Sequence, residues 1–297
     1  MADLAAHAAQ SQFDRKRWPC DLPHCKSRDV LARNLTMDLQ LSGKTALILG
    51  GSKGIGRGIA DALAAEGVAV AILARNRETL DRAVSEIKSR GGRAHGFAAD
   101  LADWPSIERA VEAARKELGP IDILLNNSGG PPPSGVVGVS AEVWEAQFHA
   151  MVLPLFRITD LLIPEMRSRK WGRVLNVASL SVIEPIPSIG VSNTLRSAIV
   201  GWAKTLSLET ARDGITVNTL LPGVIATDRS IGLSRAAAER QKITVEEAMK
   251  RTAQSIPVGR LGTPEEFGAV AAFLASPLAA YITGSLIRID GGLIKSV

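Results

Sequence analysis

A strand that runs straight into a glycine-rich loop and then into a helix constrains this chain more than any other feature. Residues 45–49 are an uninterrupted apolar run after Thr45. The loop Gly50-Gly51-Ser52-Lys53-Gly54-Ile55-Gly56 follows, and an amphipathic pattern begins at once behind it. Each glycine has a separate use: Gly50 for the tight turn, Gly54 for close approach of the backbone to a pyrophosphate, Gly56 for close packing of the helix on the strand. A helix N-terminus adds unpaired N–H groups and partial positive charge. Glycines on this spacing, between a strand and a helix, point to dinucleotide binding through Gly50, Ser52, Lys53, Gly54, Ile55 and Gly56.

The same rhythm continues along the chain. Apolar runs at 45–49, 68–73, 94–98, 121–126, 173–177, 216–220 and 286–289 alternate with helical patterns near 55–66, 76–90, 104–118, 141–168, 193–212 and 264–275. Near-continuous Val, Ile, Leu and Ala is the signature of strands covered on both faces. Repeated βαβ units force parallel strands and right-handed crossovers. The expected fold is therefore α/β: a single-domain, Rossmann-type, doubly wound parallel sheet of about seven strands with helices on both faces. Its ligand crevice lies beyond the C-terminal strand ends. Residues 229–257 break the rhythm with extra helix and are expected to form a lid over that crevice. Residues 1–36 show no sustained apolar period and are expected to be a loosely ordered tail ahead of a 37–297 domain.

Of the net charge of +5, the first 36 residues hold +2, from six Lys/Arg and four Asp/Glu, and the rest is spread thinly. Beyond the short run Arg15-Lys16-Arg17, no cluster of cations with interleaved aromatics, the mark of a nucleic-acid surface, occurs, so no nucleic-acid partner is expected. No run of 18 apolar residues occurs and the N-terminus lacks a signal-peptide core, which points to a cytoplasmic protein with no membrane partner. Cys20 and Cys25, with only His24 beside them, fall short of a full metal-ligand set. They are expected to be unpaired thiols, and no metal is expected.

The second strand ends at Leu73-Ala74-Arg75-Asn76, where a carboxylate would hold the ribose 2′-hydroxyl of NAD. This chain has Arg75 there, with Lys53 in the loop. Two cations beside the adenosine ribose favour a 2′-phosphate, so the expected cofactor is NADP(H).

With these residues in view, the chain resembles the short-chain dehydrogenase/reductase superfamily, and within it the β-ketoacyl-acyl-carrier-protein-reductase-like members. The resemblance runs from Leu39 to the C-terminus. Its markers are the phosphate loop, Asp100-Leu101, Asn126-Asn127-Ser128-Gly129, Val217-Asn218, Pro222-Gly223 with Thr227, Ile282-Thr283-Gly284 and Asp290-Gly291-Gly292. The resemblance implies that Asp100 and Leu101 flank the adenine. It implies that Asn126, Ser128 and Gly129 line the nucleotide and stiffen the central sheet, and that Pro222, Gly223, Ile225 and Thr227 hold the nicotinamide carboxamide. It also implies a small-molecule or acyl-thioester substrate, and a homotetramer or homodimer built on the helices near 141–168 and 193–212.

The family's catalytic set is Asn, Ser, Tyr and Lys. Here Ser179 keeps the serine position. Thirteen residues on, the tyrosine position holds Ser192 and the lysine position holds Arg196, while Met151 stands at the asparagine position. The Ser-Asn-x-x-Arg variant and the stretch Gly129-Gly130-Pro131-Pro132-Pro133 resemble an atypical subgroup. Reduction of a carbonyl leaves an alkoxide that needs a proton. A tyrosine gives one because its pKa of about 10 falls beside a cation. Serine is far weaker, and arginine holds its proton. The single tyrosine, Tyr281, lies in a C-terminal turn and is expected to be structural. His149, near Met151, is expected on a helix surface. Ser179, Ser192 and Arg196 remain as the candidate catalytic residues, through hydrogen bonding, polarisation and cofactor placement. Two functions stay open: reduction of a ketone or 3-oxoacyl thioester, favoured by the lid, and a non-catalytic NADP(H)-binding sensor or scaffold, favoured by the altered set.

Overall fold

Each strand but the last is followed by one or more helices through residues 37–296, the part of the chain that the computed structural model describes. The elements are β1 (Thr45–Leu49), α1 (Gly54–Ala65), β2 (Ala69–Ala74), α2 (Arg77–Ser89), β3 (Arg93–Ala98), α3 (Trp104–Leu118), β4 (Ile123–Asn126), α4 (Ala141–Met151) and α5 (Leu153–Ser168). They continue with β5 (Gly172–Val177), α6 (Gly190–Thr210), β6 (Ile215–Pro222), α7 (Asp228–Gln241), α8 (Val245–Ser255), α9 (Pro264–Ala275) and β7 (Leu286–Ile289). The tail expected over 1–36, with Cys20 and Cys25, lies outside the described residues.

The strands form one parallel sheet in the order β3-β2-β1-β4-β5-β6-β7. Side chains alternate across it. Ala46 and Ile48 of β1, Val70 and Ile72 of β2, and Leu175 of β5 pack into one core with α1, α2 and α9. Leu47, Leu49, Leu73 and Val174 face the opposite core, with α3, α5 and α6. Burial on both faces explains why β1 and β2 are apolar almost without interruption. Strand order reverses between β1 and β4, so the loops that leave these two strands part and open a crevice at their C-terminal ends.

The helix expected across 141–168 is two helices. Pro154 has no N–H to offer the carbonyl of Ala150, and the ladder breaks at Val152, which takes φ −113° and ψ −59°. By length and composition 141–168 is the one described stretch apolar enough to cross a membrane. In this fold Leu155, Ile158, Leu162 and Met166 are instead buried against the sheet. The residues expected as a lid form α7 and α8, which pack on each other.

Candidate functional site

The loop after β1 is shaped to leave room at its centre. Gly50 takes φ +63°, in the left-handed region, and its N–H donates to the Leu73 carbonyl at 2.8 Å. A Cβ on Gly56 would meet the Gly50 carbonyl oxygen, so the helix can start this close to the strand only with glycine there. No side chain caps the N-terminus of α1, and no acid stands in its first turn. Its N–H groups are therefore left for an anionic ligand. Asn127 braces the loop by donating from Nδ2 to the Leu49 carbonyl at 3.2 Å. The Thr79 hydroxyl donates to Ser52 Oγ at 3.4 Å, and Ile55 packs inward on the core.

Two cations flank this cradle. Arg75 follows β2 directly, and its guanidinium lies 4.0 Å from Asp100, with both side chains well exposed. Lys53 lies 3.5 Å from Asp228 at the start of α7, also exposed. Exposed pairs of this kind are worth about 0–1 kcal/mol, so either cation can turn to a ligand at little cost. Leu101, beside Asp100, packs on the neighbouring core.

Beyond β4 the residues divide by role. Asn126 is fully buried and donates from Nδ2 to Thr159 Oγ1 (3.0 Å) and to Asn176 Oδ1 (2.9 Å). It ties β4 to α5 and β5. Ser128 is buried with its hydroxyl unpartnered. Gly129 offers its carbonyl to Arg196.

Of the candidate catalytic positions, Ser179 and Arg196 converge at the end of β5. Ser179 Oγ accepts from the Ser181 N–H (3.1 Å) and the Ser181 hydroxyl (2.9 Å), so its own proton remains free to donate. Arg196 is 8% exposed and donates to the Val177 carbonyl (3.1 Å) and the Gly129 carbonyl (3.2 Å). Burial, and then the nearby Arg229 charge, pushes its guanidinium down to about 10, still well above neutral pH, so it stays a cation. Ser192 is buried in the first turn of α6, and Met151 is core, packed in one cluster with Val152, Val191 and Leu195. His149 is exposed on α4, and Tyr281 is fully exposed. No group of metal-ligating side chains occurs among the described residues.

On the far side of the crevice, Gly223 N–H donates to the Ile289 carbonyl (2.9 Å) at the end of β6, where Pro222 stands. Ile225 is buried and bridged to Gly262. Thr227 caps α7 and faces Gly54. Sequence reasoning missed Ser181, the partner of Ser179, and Arg229, which donates to the Gly130 carbonyl at 3.5 Å.

A family model described as enoyl-(acyl carrier protein) reductase matches residues 50–294. The 3-oxoacyl-(acyl-carrier-protein) reductase of Vibrio harveyi is 34% identical over 257 residues, 86% of this chain and 99% of the relative. The chain belongs to the short-chain dehydrogenase/reductase superfamily. Solved members of that superfamily share its fold. The L-sorbose reductase of Gluconobacter frateurii, complexed with NADPH and L-sorbose, has a TM-score of 0.83 at 31% identity, covering 88% of this chain and 100% of that one. An actinorhodin polyketide ketoreductase with NADPH has a TM-score of 0.81 at 32% identity, covering 84% and 97%. The family-model match begins at the phosphate loop and runs past β7.

Proposed function

We propose that this chain is an NADP(H)-dependent short-chain reductase acting on a ketone or 3-oxoacyl thioester with an altered catalytic set. The observation that carries the reading is the intact phosphate cradle with two exposed, weakly held cations, Arg75 and Lys53, beside it. The solved relatives that hold NADPH support the choice of cofactor. Gly50 to Gly56 would hold the pyrophosphate, Arg75 and Lys53 the 2′-phosphate, and Asp100 and Leu101 the adenine. Ser128 and Gly129 line the same crevice, and Pro222, Gly223, Ile225 and Thr227 the nicotinamide side. When bound, NADPH supplies a hydride.

The chain's own residues manage the substrate oxygen. The free Ser179 proton donates to it, and the charge on Arg196 stabilises negative charge that gathers there. No phenol stands ready, because the single tyrosine is the exposed Tyr281. The proton then comes from water or through a serine relay that includes Ser192, and loss of a positioned acid slows simple ketones by roughly 10²–10⁴. The residues 229–257 act as the lid, and the chain assembles as a homodimer or homotetramer through α4, α5 and α6. A second reading, a non-catalytic NADP(H) sensor or scaffold, is favoured by Met151, which the core has absorbed. NADPH titration of the purified chain, followed by NADPH oxidation across ketones, quinones and acyl thioesters, separates the two. Oxidation with any of them supports the reductase, binding without oxidation by any supports the sensor, and no binding rejects both.

A further inference from the structure

Two guanidinium groups reach adjacent carbonyls at the head of the crevice, near enough for each to feel the other's charge. Arg196 is held by the Gly129 carbonyl and Arg229 by the next one, Gly130. Arg229 lies hard against Gly130, where an added Cβ would come 2.5 Å from Arg229 Nη2. Neither arginine forms an ion pair with a carboxylate among the described residues, although most of the other arginines described here that hold hydrogen bonds do so. A nine-tenths buried cation beside a second cation is costly unless an anion joins them. The unpartnered, buried hydroxyl of Ser128 lies one residue before Gly129 and adds a donor.

The segments that bring these cations together also carry exposed apolar side chains. The loop from Gly130 continues to exposed Val136 and Val137. The loop into α6 exposes Ile183 and Ile186, and α7 exposes Ile231 and Leu233. The first two loops are joined, since Gly190 N–H donates to the Ser134 carbonyl at 2.7 Å. A pair of cations with an apolar rim fits a ligand with a charged head and an apolar body.

We propose that the substrate of this site is an apolar oxo acid, a ketone that also carries a carboxylate, with the carboxylate taken up by Arg229 beside the Arg196 charge and the body covered by the rim of Val136, Ile186 and Ile231. Guanidinium forks match a carboxylate in a bidentate way, and a dry site strengthens the contact. The proposal rests on the reading of this crevice as the substrate site of an NADP(H)-binding reductase.

The test is calorimetry on the NADPH-saturated full chain, with 3-phenylpropanoate and its neutral amide as probes. The acid is expected to bind at least about tenfold more tightly than the amide, the scale of one charge-assisted contact. Arg229→Gln is expected to lose that preference, with the amide unchanged, and Arg229→Lys to restore part of it. Arg229 is exposed, so these variants do not strain the core. Equal binding of acid and amide, or a preference that survives Arg229→Gln, overturns the proposal. So does a tenfold loss of NADPH affinity in Arg229→Gln, which assigns that cation to the cofactor. Failure of the wild type to bind NADPH at all fails the reductase reading instead, so the two failures are distinct.

Discussion

Replacing Arg75 by alanine isolates the basis of cofactor choice. In the free protein its guanidinium only approaches Asp100, at 4.0 Å, with side chains 76% and 47% exposed. Such a pair contributes about 0–1 kcal/mol, so little stability is lost with it. Against a 2′-phosphate the same group makes a charge-assisted hydrogen bond worth about 1.5–3 kcal/mol. Solvent at so open a position discounts this to about 1–2 kcal/mol, or roughly a 5- to 30-fold rise in Kd. NADH has no phosphate there, and its affinity is expected to stay within about twofold. Calorimetry with both cofactors and both proteins reads this directly. Raising the salt should narrow the NADPH difference, because exposed charges are screened over about 10 Å at 0.1 M. Tighter binding of NADH than NADPH by the wild type, or equal losses for both in Arg75→Ala, refutes the reasoning.

Gly56→Ala places a methyl on the Gly50 carbonyl, so it should cost about 1–3 kcal/mol of stability and abolish measurable NADPH binding in titration. A chain that begins at Met37 should lose less than about 1 kcal/mol and melt within roughly 4 °C of the full chain, and calorimetric melting checks this. The Arg260 guanidinium, and after it the Thr263 N–H, holds the Glu266 carboxyl down to about 2 from 4.5. A depressed carboxylate stabilises the fold above its unfolded value and ceases to do so as pH falls through the folded one. The melting-temperature gap between the wild type and Glu266→Gln should therefore be full above pH 4.5 and close as pH falls toward 2.

The sheet was legible because its strands are buried on both faces, which leaves an uninterrupted apolar run wherever a strand lies. β1 and β7 fall where the runs at 45–49 and 286–289 put them, and no other strand end shifts by more than two residues. The break at Val152 was not legible, because one amphipathic pattern spans both helices and only the missing N–H of Pro154 divides them. The start of α6 at Gly190 depends on a bond to Ser134, far back in the chain. In the site, the phosphate cradle is a local motif and was read locally. Arg229 was not, since its partner Gly130 is 99 residues away and nothing near either residue announces the pairing. Asn126 shows the same limit: its type and motif were plain, but only packing shows that its amide nitrogen bridges Thr159 and Asn176.

The central claim is a reductase that holds NADPH but lacks the usual acid, and rebuilding that acid tests it most directly. The measurement is the rate of NADPH oxidation with simple ketones, in the wild type and in the triple variant Ser192→Tyr, Arg196→Lys and Met151→Asn, with circular dichroism and NADPH titration to show that both are folded and loaded. Slow reduction by the wild type and a gain of about 10²-fold or more in the variant is the expected result. A wild type that already turns over a simple ketone at about 10 per second, a median enzyme rate, contradicts the account. So does a folded, NADPH-binding variant that gains nothing.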